Sequence, residues 1–116
     1  MKKILLASSI IAASFIMLPS AQAADATAKR ICEYISVDDK TRLRSFLKQN
    51  KLKIRNIYKG LTCNGDNLLI FAAKSKALDT GEFIIGKTSK SIVSDNLAEI
   101  EKYSAHLAED ARDRVE

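Results

Sequence analysis

The only proline in the sequence is Pro19. Beyond it no residue fixes φ or lacks a backbone donor, so nothing there interrupts helical hydrogen bonding. The apolar residues of that stretch recur at three- and four-residue intervals, the period of a helix face. The pattern predicts an all-α fold rather than a strand-and-turn architecture.

The segments can be placed one by one. Residues 26–35 carry Ala28, Ile31, Cys32 and Ile35 on one face, with Asp25 as a candidate cap. Residues 39–49 form an amphipathic helix through Leu43, Phe46 and Leu47, with Asp38 as its expected cap and Asn50 as a left-handed end. Residues 51–54 read as extended and 55–59 as one helical turn. After Gly60 and Asn64-Gly65, Asp66 or Asn67 caps a helix over 67–75. Leu68, Leu69, Phe71, Ala72 and Ala73 make it apolar almost all round, as a buried central helix requires. A turn near Lys76 leads to a helix over 78–86. Gly81 there is expected to allow close approach to Ala72 and Ala73. A single last helix is expected over 92–114, apolar along Val93, Leu97, Ile100 and Leu107 and acidic elsewhere.

The chain begins with Lys2 and Lys3, an apolar run from Ile4 to Leu18, and Ala21-Gln22-Ala23. This is the form of a bacterial secretory signal peptide over residues 1–23, cleaved between Ala23 and Ala24. The apolar run is shorter than the ~20 residues of a spanning helix. The expected product is periplasmic or secreted, with no membrane span after cleavage. It divides into a helical domain over 24–90 and an acidic amphipathic C-terminal helix over 91–116.

An exported chain of this size gains from a covalent staple. Its two cysteines, Cys32 and Cys63, are most simply read as one disulfide. The alternative is a thiol-redox site or other small enzyme using Cys63, which precedes a helix start and has Lys59 nearby. Cys63 has no neighbouring cysteine to resolve it. His106 is the only histidine, which gives neither a metal set nor a local partner for a nucleophile. The carboxylate pairs Asp38-Asp39 and Glu109-Asp110 read as helix-end and surface charges. No catalytic residues, cofactor or metal site are expected.

Charge is distributed unevenly. The formal charge is +5, and +3 without the two leader lysines. Residues 29–59 carry +7, whereas residues 60–116 carry −3. Arg42, Arg44, Lys48, Lys51, Lys53, Arg55 and Lys59 fall within eighteen residues with no acidic residue among them. With Tyr58, all of these except Lys59 make the candidate binding face. The expected partner is another periplasmic or envelope protein, and an anionic envelope surface is the alternative. Nucleic acid is not expected, because export and the lack of interleaved aromatics both argue against it. The acidic last helix is expected to dock on this basic face.

Residues 31–87 resemble a family of small exported bacterial proteins of unknown function. The matching pieces are I-C-E-Y-I at 31–35, D-D-K-T-R-L-R at 38–44, L-K-I-R-N-I-Y-K-G at 52–60 and G-E-F-I-I at 81–85. The most specific is C-N-G-x-x-L-L-x-F-A, beginning at Cys63. The resemblance implies export and paired use of Cys32 and Cys63, and brings no activity. A weaker likeness joins residues 65–86 to an ankyrin-type helix-turn-helix, with Asn67, Leu68 and Ile70 replacing the Thr-Pro and His positions. No second full repeat is evident, so the expectation is a small disulfide-stapled all-α domain with ankyrin-like helix-turn-helix pairs, whose bridge stands in for missing neighbours.

Overall fold

The computed structural model describes residues 20–116, with side chains from Asp25 onward. The expected leader lies outside the described residues as far as residue 19. The Ala23–Ala24 bond falls on the backbone of the first helix. Among the described residues there are seven α-helices: α1 (Ser20–Ser36), α2 (Lys40–Gln49), α3 (Ile54–Ile57), α4 (Leu68–Lys74), α5 (Leu78–Lys87), α6 (Lys90–Tyr103) and α7 (Ala105–Val115). A 3-10 turn at Tyr58–Gly60 follows α3.

Three helix pairs stack. The hairpin α1–α2 packs on α4–α5, which packs on α6–α7. One row runs α1, α4, α6 and the other α2, α5, α7. These are the helix-turn-helix pairs expected from the sequence, and α1–α2 and α6–α7 supply the neighbours of α4–α5 that the bridge was expected to replace. The core follows the rows. Ile31 and Ile35 of α1, Leu43 of α2, Leu68 of α4, Ile84 of α5, Ile100 of α6 and Leu107 of α7 are all buried.

The single helix expected over 92–114 is two. Ser104 leaves helical geometry (φ −154°, ψ 102°), and its hydroxyl accepts a hydrogen bond from the Leu107 N–H at 3.1 Å. The thin apolar stripe is thus two short ones. Val93 and Ile100 are buried on α6, and Leu107, Ala108 and Ala111 on α7. These stripes decide the docking. Helix α6 lies on α4 and α7 on α5, so neither covers the basic face as charge complementarity had suggested. Burying apolar area outweighs exposed ion pairs, which contribute about 0–1 kcal/mol each.

Helix ends depart from the expected residues. Helices α1, α2 and α4 close with the paired backbone bonds of a Schellman motif, and the left-handed residues are Asp38 (φ 54°), Lys51 (φ 55°) and Lys76 (φ 55°). Asn50, expected in that role, has φ −99°. Asp25 lies inside α1 and is not its cap. Asp39, not Asp38, caps α2 by accepting from the Arg42 N–H at 3.0 Å.

Asp38 instead reaches the second pair. Its carboxylate accepts from the N–H of Thr80 at 2.8 Å and of Asp79 at 3.4 Å, at the start of α5. Lys76, at the matching turn of the next pair, donates to the Tyr103 carbonyl at the end of α6. At the far end of α5, Arg114 donates to the carbonyls of Thr88 at 3.0 Å and Ile85 at 3.3 Å. An anion therefore sits at the N-terminus of α5 and a cation at its C-terminus, the arrangement that its dipole favours. Gly81 of α5 faces Leu107 rather than Ala72 and Ala73. A Cβ there would come within 2.6 Å of a Leu107 methyl.

The stretch between the first two pairs is tied down covalently. Cys32 and Cys63 form a disulfide with Cα atoms 5.7 Å apart. Asn64 (φ 54°) and Gly65 (φ 82°) make the two left-handed central residues of a tight turn. Cys63 and Asp66 exchange both backbone hydrogen bonds across it, at 2.7 and 2.9 Å. This is the backbone of a type I′ turn, for which Asn-Gly is the preferred dipeptide. Asn67 then caps α4 by accepting from the Ile70 N–H at 2.9 Å.

Replacing both cysteines by alanine should lower stability by roughly 3–4 kcal/mol, from the loop the bridge closes. Denaturant unfolding of the oxidised and double-alanine proteins measures it. Asp38→Ala should cost about 1–2 kcal/mol through the lost cap and charge of α5. Asp38→Asn, which keeps an acceptor and tolerates a left-handed backbone, should cost less. Calorimetry that ranks the two the other way would reject the remote cap.

Candidate functional site

A surface depression with a volume of about 740 Å³ lies between α2, α3 and α5. Helix α2 contributes Arg44 and Lys48 to its wall, spaced one turn apart, with Leu47 toward the core. Burial alternates from Leu52 to Arg55, across the start of α3 at Ile54. Lys53 and Arg55 point to the rim, while Leu52 is half-buried and Ile54 buried. Helix α5 closes the other side with Phe83, Gly86 and Lys87.

No acidic residue lines this groove. Its five cations are exposed, and none forms an ion pair within 4 Å among the described residues. Phe83 makes part of the floor. The Arg44 guanidinium and the Lys87 ammonium each lie 5.9 Å from its ring centre. These cations are held over a π face and not by carboxylates. The site therefore combines concentrated positive charge with an apolar floor.

The structure gathers four of the seven candidate face residues into the groove: Arg44, Lys48, Lys53 and Arg55. Arg42 and Lys51 are exposed but lie outside it, and Arg42 pairs with Asp39 at 3.4 Å. Tyr58 does not belong to an exposed face. It is only 7% exposed, because its ring turns into the core at the start of the 3-10 turn. Sequence reasoning missed Phe83 and Lys87. They come from α5, some thirty residues after the basic cluster. The one available signal was the spacing of Phe83 and Lys87 by four on a helix.

Other chemistry-bearing residues are placed elsewhere. Both cysteines are in the bridge, so the folded chain has no free thiol. His106 is exposed on α7, with Nε2 3.7 Å from the Asp110 carboxylate. Asp110 is less of a surface charge than expected. One of its oxygens is buried without a hydrogen bond, and burial, reinforced by Glu82, pushes its pKa up. Among the described residues no group of three or more His, Cys, Asp or Glu side chains is placed to hold a metal ion. No described helix is long and apolar enough to cross a membrane.

Residues 31–95 match the family described as Protein of unknown function (DUF3718). The chain belongs to that family. The matched region runs from the middle of α1 into α6, and it contains the disulfide and every residue of the groove. It extends past the shared run expected from the sequence, which ended at Lys87. Helix α7 lies beyond it. No curated protein and no solved structure matches the chain. The bridge itself points to an oxidising, extracytoplasmic compartment.

Tyr58 gives this region a titration signature. Burial pushes the phenol up to about 12, and its hydroxyl is buried without a hydrogen-bond partner. The unfolded phenol ionises near 10, so between pH 10 and 12 the unfolded chain has lost a proton that the folded chain retains. Stability should be intact below pH 10 and fall across that window by on the order of 2 kcal/mol. Tyr58→Phe should remove this part of the alkaline slope, read by urea unfolding at a series of pH values.

Proposed function

We propose that this chain is an exported, non-catalytic interaction module of the periplasm that uses the α2–α3–α5 groove to hold another envelope protein. The observation that carries the reading is the ring of five exposed, unpaired cations around an apolar floor. Isolated surface cations are usually solvated one at a time. Here they converge on one concave surface with no compensating acid. That arrangement stores a field that an anionic partner neutralises. A buried apolar centre with a polar, charged rim is also the anatomy of a protein interface.

The bridge supports the same reading. It joins α1 to the turn before α4, away from the groove, as a staple would. The signal-peptide form of residues 1–23 and the compartment implied by the bridge together support export. An anionic envelope surface is the competing partner, and it makes a different prediction about salt.

Tagged mature protein cross-linked in the periplasm should capture a discrete protein. The triple variant Arg44→Glu, Lys48→Glu, Arg55→Glu should lose that capture while melting within a few degrees of the parent. Capture that is unchanged by the triple variant would refute the groove. Retention of lipid or polymer alone, lost in high salt, would replace the protein partner with the envelope surface.

A further inference from the structure

The groove is not uniformly basic, and its layout restricts what it can hold. On one side Arg44 and Lys48 stand on α2. Lys87 stands on α5, Lys53 at the N-cap of α3 and Arg55 within α3. Between the walls the surface is apolar, made by Phe83, Leu52, Leu47 and Ile54. A purely charged ligand such as a polyanion would satisfy the rim and leave this floor wet. A purely apolar ligand would strand the cations.

We infer that the groove binds an acidic protein segment in which carboxylates flank a large apolar side chain, the apolar group seating on Phe83. This rests on the interaction-module reading above and adds the chemistry of the partner. Charge complementarity sets the flanking residues, since the groove presents five cations and no acid. The floor sets the central one. Phe83 is half-buried, and its ring already has Arg44 and Lys87 beside it at 5.9 Å. A side chain placed on this ring lies where both cations reach carboxylates on its neighbours. Two acids of the chain itself are held away from the groove. Glu101 pairs with Arg112 on the third helix pair, and Asp66 pairs with Lys74.

Phe83 is then an anchor and Arg44 and Lys87 are clamps. These roles separate in experiment. An anchor discriminates between ligands of equal charge, whereas a clamp discriminates between ligands of equal hydrophobicity. Interface energy concentrates on such central aromatic and arginine contacts.

The test uses the oxidised mature protein and a short fluorescent peptide with a central phenylalanine flanked by glutamates. Two controls replace the phenylalanine by alanine or the glutamates by glutamines. Fluorescence anisotropy should show both controls binding at least about tenfold more weakly, the scale of one lost hot spot. Phe83→Leu should weaken the phenylalanine peptide and leave the alanine control unchanged. Lys87→Gln should weaken both acidic peptides alike. Helical circular dichroism and melting confirm that each variant is folded, and Phe83→Leu keeps an apolar side chain in case Phe83→Ala does not fold. Equal binding of the phenylalanine and alanine peptides would overturn the anchor and leave only diffuse charge attraction. Tighter binding to phosphatidylglycerol vesicles than to the peptide, through the same residues, would overturn the protein segment in favour of lipid. A periplasmic partner captured but not displaced by the peptide would sink this inference while leaving the interaction module standing. If no partner is captured and no peptide binds, both fall.

Discussion

Helix α5 is the constraint on which the rest depends. It packs against α4, α7, α2 and α3, so every layer of the molecule touches it. Yet its own sequence completes neither end well. Its N-cap position is Ala77, which has no side chain to offer the exposed amides, and its interior contains Gly81 and Gly86. Its termini are finished by Asp38 from the first helix pair and Arg114 from the last. The central helix is thus stable only in the assembled stack. Its neighbours in turn depend on it for a surface to bury.

The turns of the stack extend this logic. In each of the first two pairs, the left-handed residue at the helix turn reaches the next pair. Asp38 holds the start of α5, and Lys76 holds the end of α6. A non-glycine residue in this conformation costs about 1–2 kcal/mol of backbone energy. The return is a polar side chain aimed across the layer boundary, which glycine could not provide. Stacking of this kind explains how a short chain sustains three layers. Each boundary is held by apolar contact in the middle and a directed polar contact at the rim.

The groove is a consequence of the same arrangement. The linker between the first two pairs brings α3 against α5 before reaching the bridge. Across the start of α3, Leu52 and Ile54 turn inward and Lys53 and Arg55 outward. The disulfide fixes the far end of the linker, at Cys63, to α1. A covalent staple and a charged concavity therefore occupy opposite ends of one segment. The chemistry of the cysteines is spent on holding that segment, and the free charge is left at the surface.

Much of this was legible in the residues. Helical spacing and a single proline dictated an all-α chain, because backbone hydrogen bonding and apolar period are local properties. Asn64-Gly65 marked a tight turn for the same reason, and an even pair of cysteines pointed to one bridge. The sequence alone also determined that positive charge is concentrated over residues 42–59. Only the tertiary structure decided where that charge faces. It turned Tyr58 into the core, drew Phe83 and Lys87 into the groove, and gave Asp38 to a helix forty residues away. It also broke the last helix at Ser104, where one hydroxyl cap and two differently directed apolar stripes outweigh continuous helical propensity. These outcomes depend on which surfaces are buried together, and burial is a property of the packed layers that no local window contains.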